Sequence, residues 1–116
     1  MEDGRGAQFA VVSASGQYLG GCGINAINRE HGFANLGYWI RSSAAGRGVA
    51  PQAVRLVSAW AFAHTDLQRL EIVVAVQNTR SVRVAEKSGA QLEGLLRARL
   101  RMHGRVHDAR MYALIR

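Results

Sequence analysis

The feature that most limits the folds open to this chain is a change of hydrophobic period across residues 41–51. Ahead of it, Ala34-Asn35-Leu36-Gly37-Tyr38-Trp39-Ile40-Arg41 is rich in aromatic and branched side chains, as a pleated strand requires. Behind it, Ala50, Ala53, Val54, Val57, Trp60 and Ala61 recur at three- and four-residue steps and give one helix face an apolar stripe. The intervening Arg41-Ser42-Ser43-Ala44-Ala45-Gly46-Arg47-Gly48-Val49-Ala50-Pro51 must therefore turn a strand into a helix. Pro51 suits a first turn, where no intrahelical N–H is lost. Gly46 and Gly48 lack a Cβ, so the backbone can turn sharply there and bring its free amides close to a bound group. Those amides lie at the positive end of the helix dipole beside Arg47, and the ligand they predict is a phosphate or pyrophosphate.

Upstream, Phe9–Ser13 and Tyr18–Ile27 are apolar runs joined by a turn-rich segment and read as a hairpin. Gly20, Gly21 and Gly23 in the second run mark a bulge or a close backbone approach. A turn over Asn28–Gly32 leads to a third strand, Phe33–Arg41, and three strands on short loops pair antiparallel. Residues 1–7 read as a loose end.

Downstream, a helix over Gly48–His64 precedes Leu70-Glu71-Ile72-Val73-Val74-Ala75-Val76, a run apolar on both faces, as in a central strand covered by helices. Strand, helix and strand in succession imply a parallel right-handed crossover. Where an antiparallel sheet becomes parallel, a crevice opens at the strand ends, and ligands bind there. Asn78 caps a second helix over Thr79–Ser88 that Gly89 ends. Ala90–Met102 and Arg105–Ile115 form a closing hairpin around His103-Gly104. The order β-β-β-α-β-α-β-β is that of a mixed sheet with helices packed on it, an α/β (α+β) fold.

At 116 residues and 48% hydrophobic, the chain is expected to form one domain, 1–116, with a buried core. No run reaches the roughly 18 to 20 apolar residues of a membrane span. Cys22, the single cysteine, fits a small buried apolar residue better than a catalytic thiol, and with no internal disulfide to form, a reducing compartment is the simpler expectation. A cytoplasmic protein with no membrane partner is predicted. The net charge of +7, with Lys87 the sole lysine, favours phosphate-rich small molecules or nucleic acid. Arginine as simple surface cover remains the alternative. A P-loop is excluded, since no Gly-Lys-Ser/Thr follows the loop, and the third glycine of a dinucleotide fingerprint is absent.

Three stretches taken together resemble a known family. The loop Gly46-Arg47-Gly48-Val49-Ala50, the helix start Asn78-Thr79-Arg80-Ser81 and the run Val84-Ala85-Glu86-Lys87-Ser88-Gly89-Ala90-Gln91-Leu92-Glu93-Gly94 resemble the GNAT superfamily of acyl-CoA-dependent N-acyltransferases. The Asn-x-x-Ser helix start, Glu93-Gly94 and Asp108 four residues before Tyr112 are similar to its ribosomal-protein alanine or serine N-acetyltransferase (Rim-type) branch. The resemblance runs from about Phe9 to Ile115.

It implies acetyl-CoA as co-substrate, no metal, and transfer of acetyl to a primary amine, either a protein N-terminus or a small amine. Backbone groups around Trp39, Ile40 and Arg41 would hold the pantetheine arm. The amides of Gly46, Arg47, Gly48, Val49 and Ala50 would hold the pyrophosphate, matching the independent reading of that loop. Asn78 would hydrogen-bond the pantetheine. Arg80, with Arg83 and Lys87 on the same helix face, would meet the 3′-phosphate, the alternative for the latter two being an ordinary solvated face. Ser81 would lie near the thioester sulfur and donate a proton to it, or else serve only the helix start. Many members place a tyrosine later in this helix, where Ala85 stands here. Glu71, on the central strand beside the crevice, is the candidate base ahead of Glu93, Asp108 and His103.

Two departures bear on function. Ala44 and Ala45 stand where Gln or Arg is usual. The strand and two helices that normally open the fold and wall the acceptor site are expected to be missing, so the chain is a fragment or takes that wall from a partner, and a homodimer is left open. A non-catalytic CoA-binding module and a basic nucleic-acid-binding domain remain as competing readings.

Overall fold

The computed structural model describes residues 6–116. The first five residues of the expected loose end lie outside it, and Ala7 already belongs to a strand. In chain order the elements are β1 (Ala7–Val12), β2 (Tyr18–Asn28), β3 (Phe33–Ile40), a single 3-10 turn at Ser42–Ala44, α1 (Val49–His64), β4 (Arg69–Ala75), α2 (Thr79–Lys87), β5 (Gln91–Met102) and β6 (Arg105–Ile115). The six strands form one sheet in the order β1-β2-β3-β4-β6-β5. Only β3 and β4 run parallel; every other pair is antiparallel. Element order and strand directions are those expected from the sequence, with ends shifted by one or two residues.

Both helices lie on one face of the sheet. Phe9, Cys22 and Tyr38 oppose one another across β1, β2 and β3 and so point to a common side. Phe9 meets Trp60 of α1 edge-on at 5.0 Å between ring centroids, and Tyr38 hydrogen-bonds Ser81 of α2. The core fills the space between: Ile24, Leu36, Leu70, Ile72 and Val74 from the strands against Val54, Val57, Ala61, Val82 and Ala85 from the helices. The expectation that helices would cover β4 on both faces is therefore corrected. Leu70, Ile72 and Val74 are buried, whereas Arg69, Glu71 and Val73, on the side away from the helices, are half-exposed. The run is apolar on both sides because Val73 lies across from Met111 and beside buried Ala75 and Ala109. Neighbouring side chains shelter it without a second helical layer.

On that bare face Trp39 lies 53% exposed, its indole over Gly21. A Cβ on Gly21 would stand 2.8 Å from the indole Nε1, which accounts for one of the strand glycines as a close approach. The register of β2 shifts twice: beside Gly20, where Val11 and Val12 oppose Gly20 and Tyr18 with Leu19 left over, and at Ala26 with φ 50°, between Asn25 and Asn28.

Two irregularities leave the sheet open near its middle and extended at one end. β3 and β4 pair only through Phe33–Asn35 and Arg69–Glu71, so beyond Glu71 the strands part. The β5–β6 hairpin outruns its neighbour: β4 ends opposite Ala109, and residues 97–108 continue as a two-stranded arm. Its base is kinked by a bulge between Leu96 and Leu100, where Ala98 has φ 54° and donates its N–H to Asp108 Oδ1 at 2.8 Å.

Candidate functional site

The loop between β3 and α1 leaves a row of amides without partners. Gly48 is the N-cap of α1, in the left-handed region at φ 77°, and no side chain caps it. Gly46 is left-handed too, at φ 79°. Among the described residues, no backbone carbonyl accepts from the N–H groups of Gly46, Arg47, Gly48, Val49 or Ala50. At a helix start such groups carry partial positive charge and bind anions. Arg47 turns back and donates to the Ser43 carbonyl at 2.9 Å, bracing the loop.

The amides open into a cavity of about 440 Å³ lined by Ile40, Gly46, Gly48, Val49 and Ala50 on one side and by Thr79, Arg80, Arg83 and Lys87 of α2 on the other. Three exposed cations, Arg80, Arg83 and Lys87, line it together. A larger cavity, about 800 Å³, lies between β1 and α1, but its walls are mainly apolar (Phe9, Val11, Leu56, Trp60), with Arg47 its one charged group. The smaller cavity holds the groups that bind anions.

From this cavity the gap between β3 and β4 leads inward. In an antiparallel ladder the N–H and C=O of successive residues alternate sides. Arg41 donates its N–H to the Leu19 carbonyl at 2.8 Å, on the β2 side. Trp39 shares that parity, so the main-chain groups of Tyr38 and Ile40 are the ones that face the gap. The expectation of a backbone contact from Arg41 is thus corrected, because that amide already belongs to the sheet, and of the three residues named only Ile40 turns its main-chain groups to the gap.

Asn78 caps α2, its Oδ1 accepting from the Ser81 N–H at 3.1 Å. The Ser81 hydroxyl is not used in capping. It donates to the Tyr38 hydroxyl at 3.0 Å, and Tyr38 donates to the Ser81 carbonyl at 2.8 Å. Burial pushes the Tyr38 phenol above its ordinary value, opposed by the bond from Ser81. Sequence reasoning missed this pair. Strand alternation sends the side chains of Tyr38 and Trp39 to opposite faces without saying which turns inward, and the contact spans 43 positions along the chain and depends on how α2 docks. Ala85, fully buried, offers no group to the site.

Glu71 sits where the strands part, on the bare face, and is ion-paired. Arg69 Nε donates to Glu71 Oε2 at 2.8 Å, and its two terminal nitrogens hold Glu93 at 2.9 and 2.7 Å. Asp108 serves the bulge, and His103 lies at the far turn of the arm, so neither reaches the gap. The Arg69 guanidinium holds the Glu93 carboxyl below the usual carboxylate range. A depressed carboxyl stabilises the fold above its unfolded value of roughly 4.3 and loses that contribution as pH falls through the folded value. Arg69→Met is therefore expected to flatten the loss of stability between neutral and acidic pH, read from urea midpoints at both. The effect is small because Glu93 is exposed; an unchanged pH slope would mean the ion pair is not formed in solution.

Cys22 is 1% exposed, and burial raises its thiol to about 11. It is a packing residue. No group of three or more metal-ligating side chains occurs among the described residues, and none of their helices is long and apolar enough to cross a membrane.

A family model described as an acetyltransferase (GNAT) domain matches residues 1–91. An uncharacterised N-acetyltransferase of Bacillus licheniformis, p20, is 32% identical over 98% of this chain and 65% of its own length. The ribosomal-protein-serine acetyltransferase of Escherichia coli is 28% identical over 94% of this chain and 61% of its own. Among solved structures, a mutant spermidine N-acetyltransferase of Vibrio cholerae superposes with a TM-score of 0.86 at 24% identity, covering 98% of this chain and 68% of that one. The chain thus spans somewhat less than two thirds of these two curated relatives.

Proposed function

The chain belongs to the GNAT acetyltransferase family, and from that premise we propose that it transfers an acetyl group from acetyl-CoA to a primary amine. The observation that carries this reading is the continuity between unpartnered amides at the start of α1, a cation-lined cavity and the gap between β3 and β4. A diphosphate suits the amides of Gly46 to Ala50, and a terminal phosphate suits Arg80, Arg83 and Lys87. The unpaired edge of Tyr38 and Ile40 suits a pantetheine arm that hydrogen-bonds like a strand. Asn78 is occupied as a cap through its Oδ1, and its side-chain amide nitrogen is left for the same arm.

Acetyl-CoA supplies the activated thioester. Ile40, Tyr38 and the loop amides hold and orient it, and holding two reactants in register is the larger part of the rate gain expected. Helices close one face of the gap, so the amine enters from the other, past Trp39 and Glu71. Ser81 turns its hydroxyl from Tyr38 to give the departing sulfur a proton, and its oxygen is reprotonated from solvent. Glu71, or a water it holds, takes the proton from the amine once the Arg69 contact loosens. A cytoplasmic setting accords with the single buried thiol.

Differential thermal denaturation with acetyl-CoA, CoA and an oligonucleotide tests the reading. A native-state ligand at 100 times its dissociation constant adds about 2.7 kcal/mol. Acetyl-CoA and CoA are expected to raise the midpoint, and stabilisation by the oligonucleotide alone would reverse the assignment. Release of free thiol in the presence of amines then reports transfer.

A further inference from the structure

Resting on that reading, we propose that Trp39, with Tyr18 and Val12, is a specificity platform for the acceptor, and that the amine it selects is the N-terminus of a peptide with a bulky apolar second or third residue. The three side chains are contiguous on the bare face. Tyr18 stands opposite Val12 in the β1–β2 ladder, so the two project to one side. Tyr18 in turn meets Trp39 edge-on, with 5.6 Å between ring centroids. All three are open to solvent, Val12 at 56%, Tyr18 at 44% and Trp39 at 53%. Single apolar side chains on a surface are ordinary, whereas a cluster marks a place of contact. The indole can lie over β2 because Gly21 beneath it has no Cβ.

The platform borders the gap on the side from which the amine enters. Tyr38, through Ser81, marks the level of the sulfur on the helix side, and Trp39 is the next residue of β3, turned to the bare side. Gly37, exposed and without a side chain, leaves the bare face of β3 open beside it. A coenzyme arm in the place of a strand lies about 4.8 Å from β3, and Gly21 lies one strand away on the other side, so amine and indole are about 10 Å apart. That is the reach of the second or third residue of an extended peptide, at about 3.3–3.6 Å each. A polyamine would reach as far, and an indole face attracts cations. The charge around the platform favours the apolar peptide. From Ala7 to Thr65 the one acidic residue is Glu30, in the β2–β3 turn at the far end of both strands from Trp39. Glu71 lies opposite Asn35, four residues from Trp39, and is bound by Arg69. Arg41 follows Trp39 by two residues. A second ammonium on the indole would thus lack a carboxylate partner among the described residues and would face like charge. An apolar side chain needs only the area that Val12, Tyr18 and Trp39 expose.

The test uses hexapeptides that begin with Ala and carry Phe, Ser or Lys at both the second and third positions, together with spermidine as competitor. Equilibrium binding is measured by fluorescence anisotropy of peptides labelled at the C-terminus, with CoA present, and turnover by thiol release. The Phe peptide is expected to bind about 10-fold tighter than the Ser or Lys peptide. In turnover the same difference is expected in KM more than in kcat, since the contact is already made in the ground state. Trp39→Ala is expected to erase the preference while calorimetric titration shows CoA affinity unchanged, because main-chain groups hold the coenzyme. In Gly21→Ala the new Cβ would stand 2.8 Å from the indole Nε1 and must displace it. That variant is expected to weaken the preference, and to do nothing further where Trp39 is already alanine, a coupling that a merely structural role would not produce. Trp39→Leu keeps an apolar surface and is expected to keep much of the preference, whereas a cation held on the ring would lose its site. Equal binding of the Phe and Ser peptides, or a preference untouched by Trp39→Ala in a chain whose melting curve is unchanged, overturns the proposal. So does tighter binding of the Lys peptide or spermidine that Trp39→Leu abolishes. Failure of the unaltered chain to bind CoA would instead overturn the acyl-transfer reading, so the two failures are distinguishable.

Discussion

A chain carrying Gly48→Val is expected to lose acetyl-CoA binding while keeping its fold. Gly48 sits at φ 77°, a conformation that costs a residue with a side chain roughly 1–2 kcal/mol. That is a modest part of the roughly 5–15 kcal/mol typical of a domain. Nothing beyond its chain neighbours lies within 4 Å of the Cβ position, so the first atom of the new side chain finds open space. It projects instead beside the row of free amides, into space the cavity needs. Keeping a diphosphate off two of those amides removes two charge-assisted hydrogen bonds of roughly 1.5–3 kcal/mol each, a weakening of about 10²- to 10⁴-fold. Calorimetric titration reads the affinity, and circular dichroism with a melting curve reads the fold. Undiminished affinity in a folded variant removes the loop from the site.

The second large effect is expected at Ser81→Ala. If the Ser81 hydroxyl donates to the departing sulfur, turnover falls by roughly 10²-fold, the lower end of what a positioned acid contributes. The KM for acetyl-CoA stays the same, since the loss is confined to the transition state. The fold is little disturbed: Asn78 caps through the Ser81 backbone N–H, and Tyr38 donates to the Ser81 carbonyl, both of which survive. Tyr38→Phe separates positioning from chemistry. It removes the partner that orients the hydroxyl, so a smaller fall in turnover is expected, with a changed pH profile. Full activity in Ser81→Ala returns that residue to a packing role against Tyr38.

Sequence made the frame legible because each cue was local. The change of period across Gly46 and Gly48, the Asn78 cap and the left-handed His103-Gly104 turn are each decided within a few residues, and all stand where expected. The parallel β3–β4 step followed from the run of strand, helix and strand. What escaped was set by contacts far apart in the chain. The apolar character of Val73 could not say whether a helix or a neighbouring strand's side chains would shelter it. The Arg41 amide could not be known to face β2 until the register with Leu19 was fixed. Arg69 stands 24 positions from Glu93, and no local pattern announces that one guanidinium binds both glutamates.

The deeply placed thiol of Cys22 has a practical use. With 1% of its surface accessible and its acidity suppressed by burial, it is shielded from alkylating reagents while β1, β2 and β3 stay joined. Its labelling rate therefore clocks how often that half of the sheet opens, and a coenzyme that tightens the native state would slow the clock without any reporter residue being engineered into the chain.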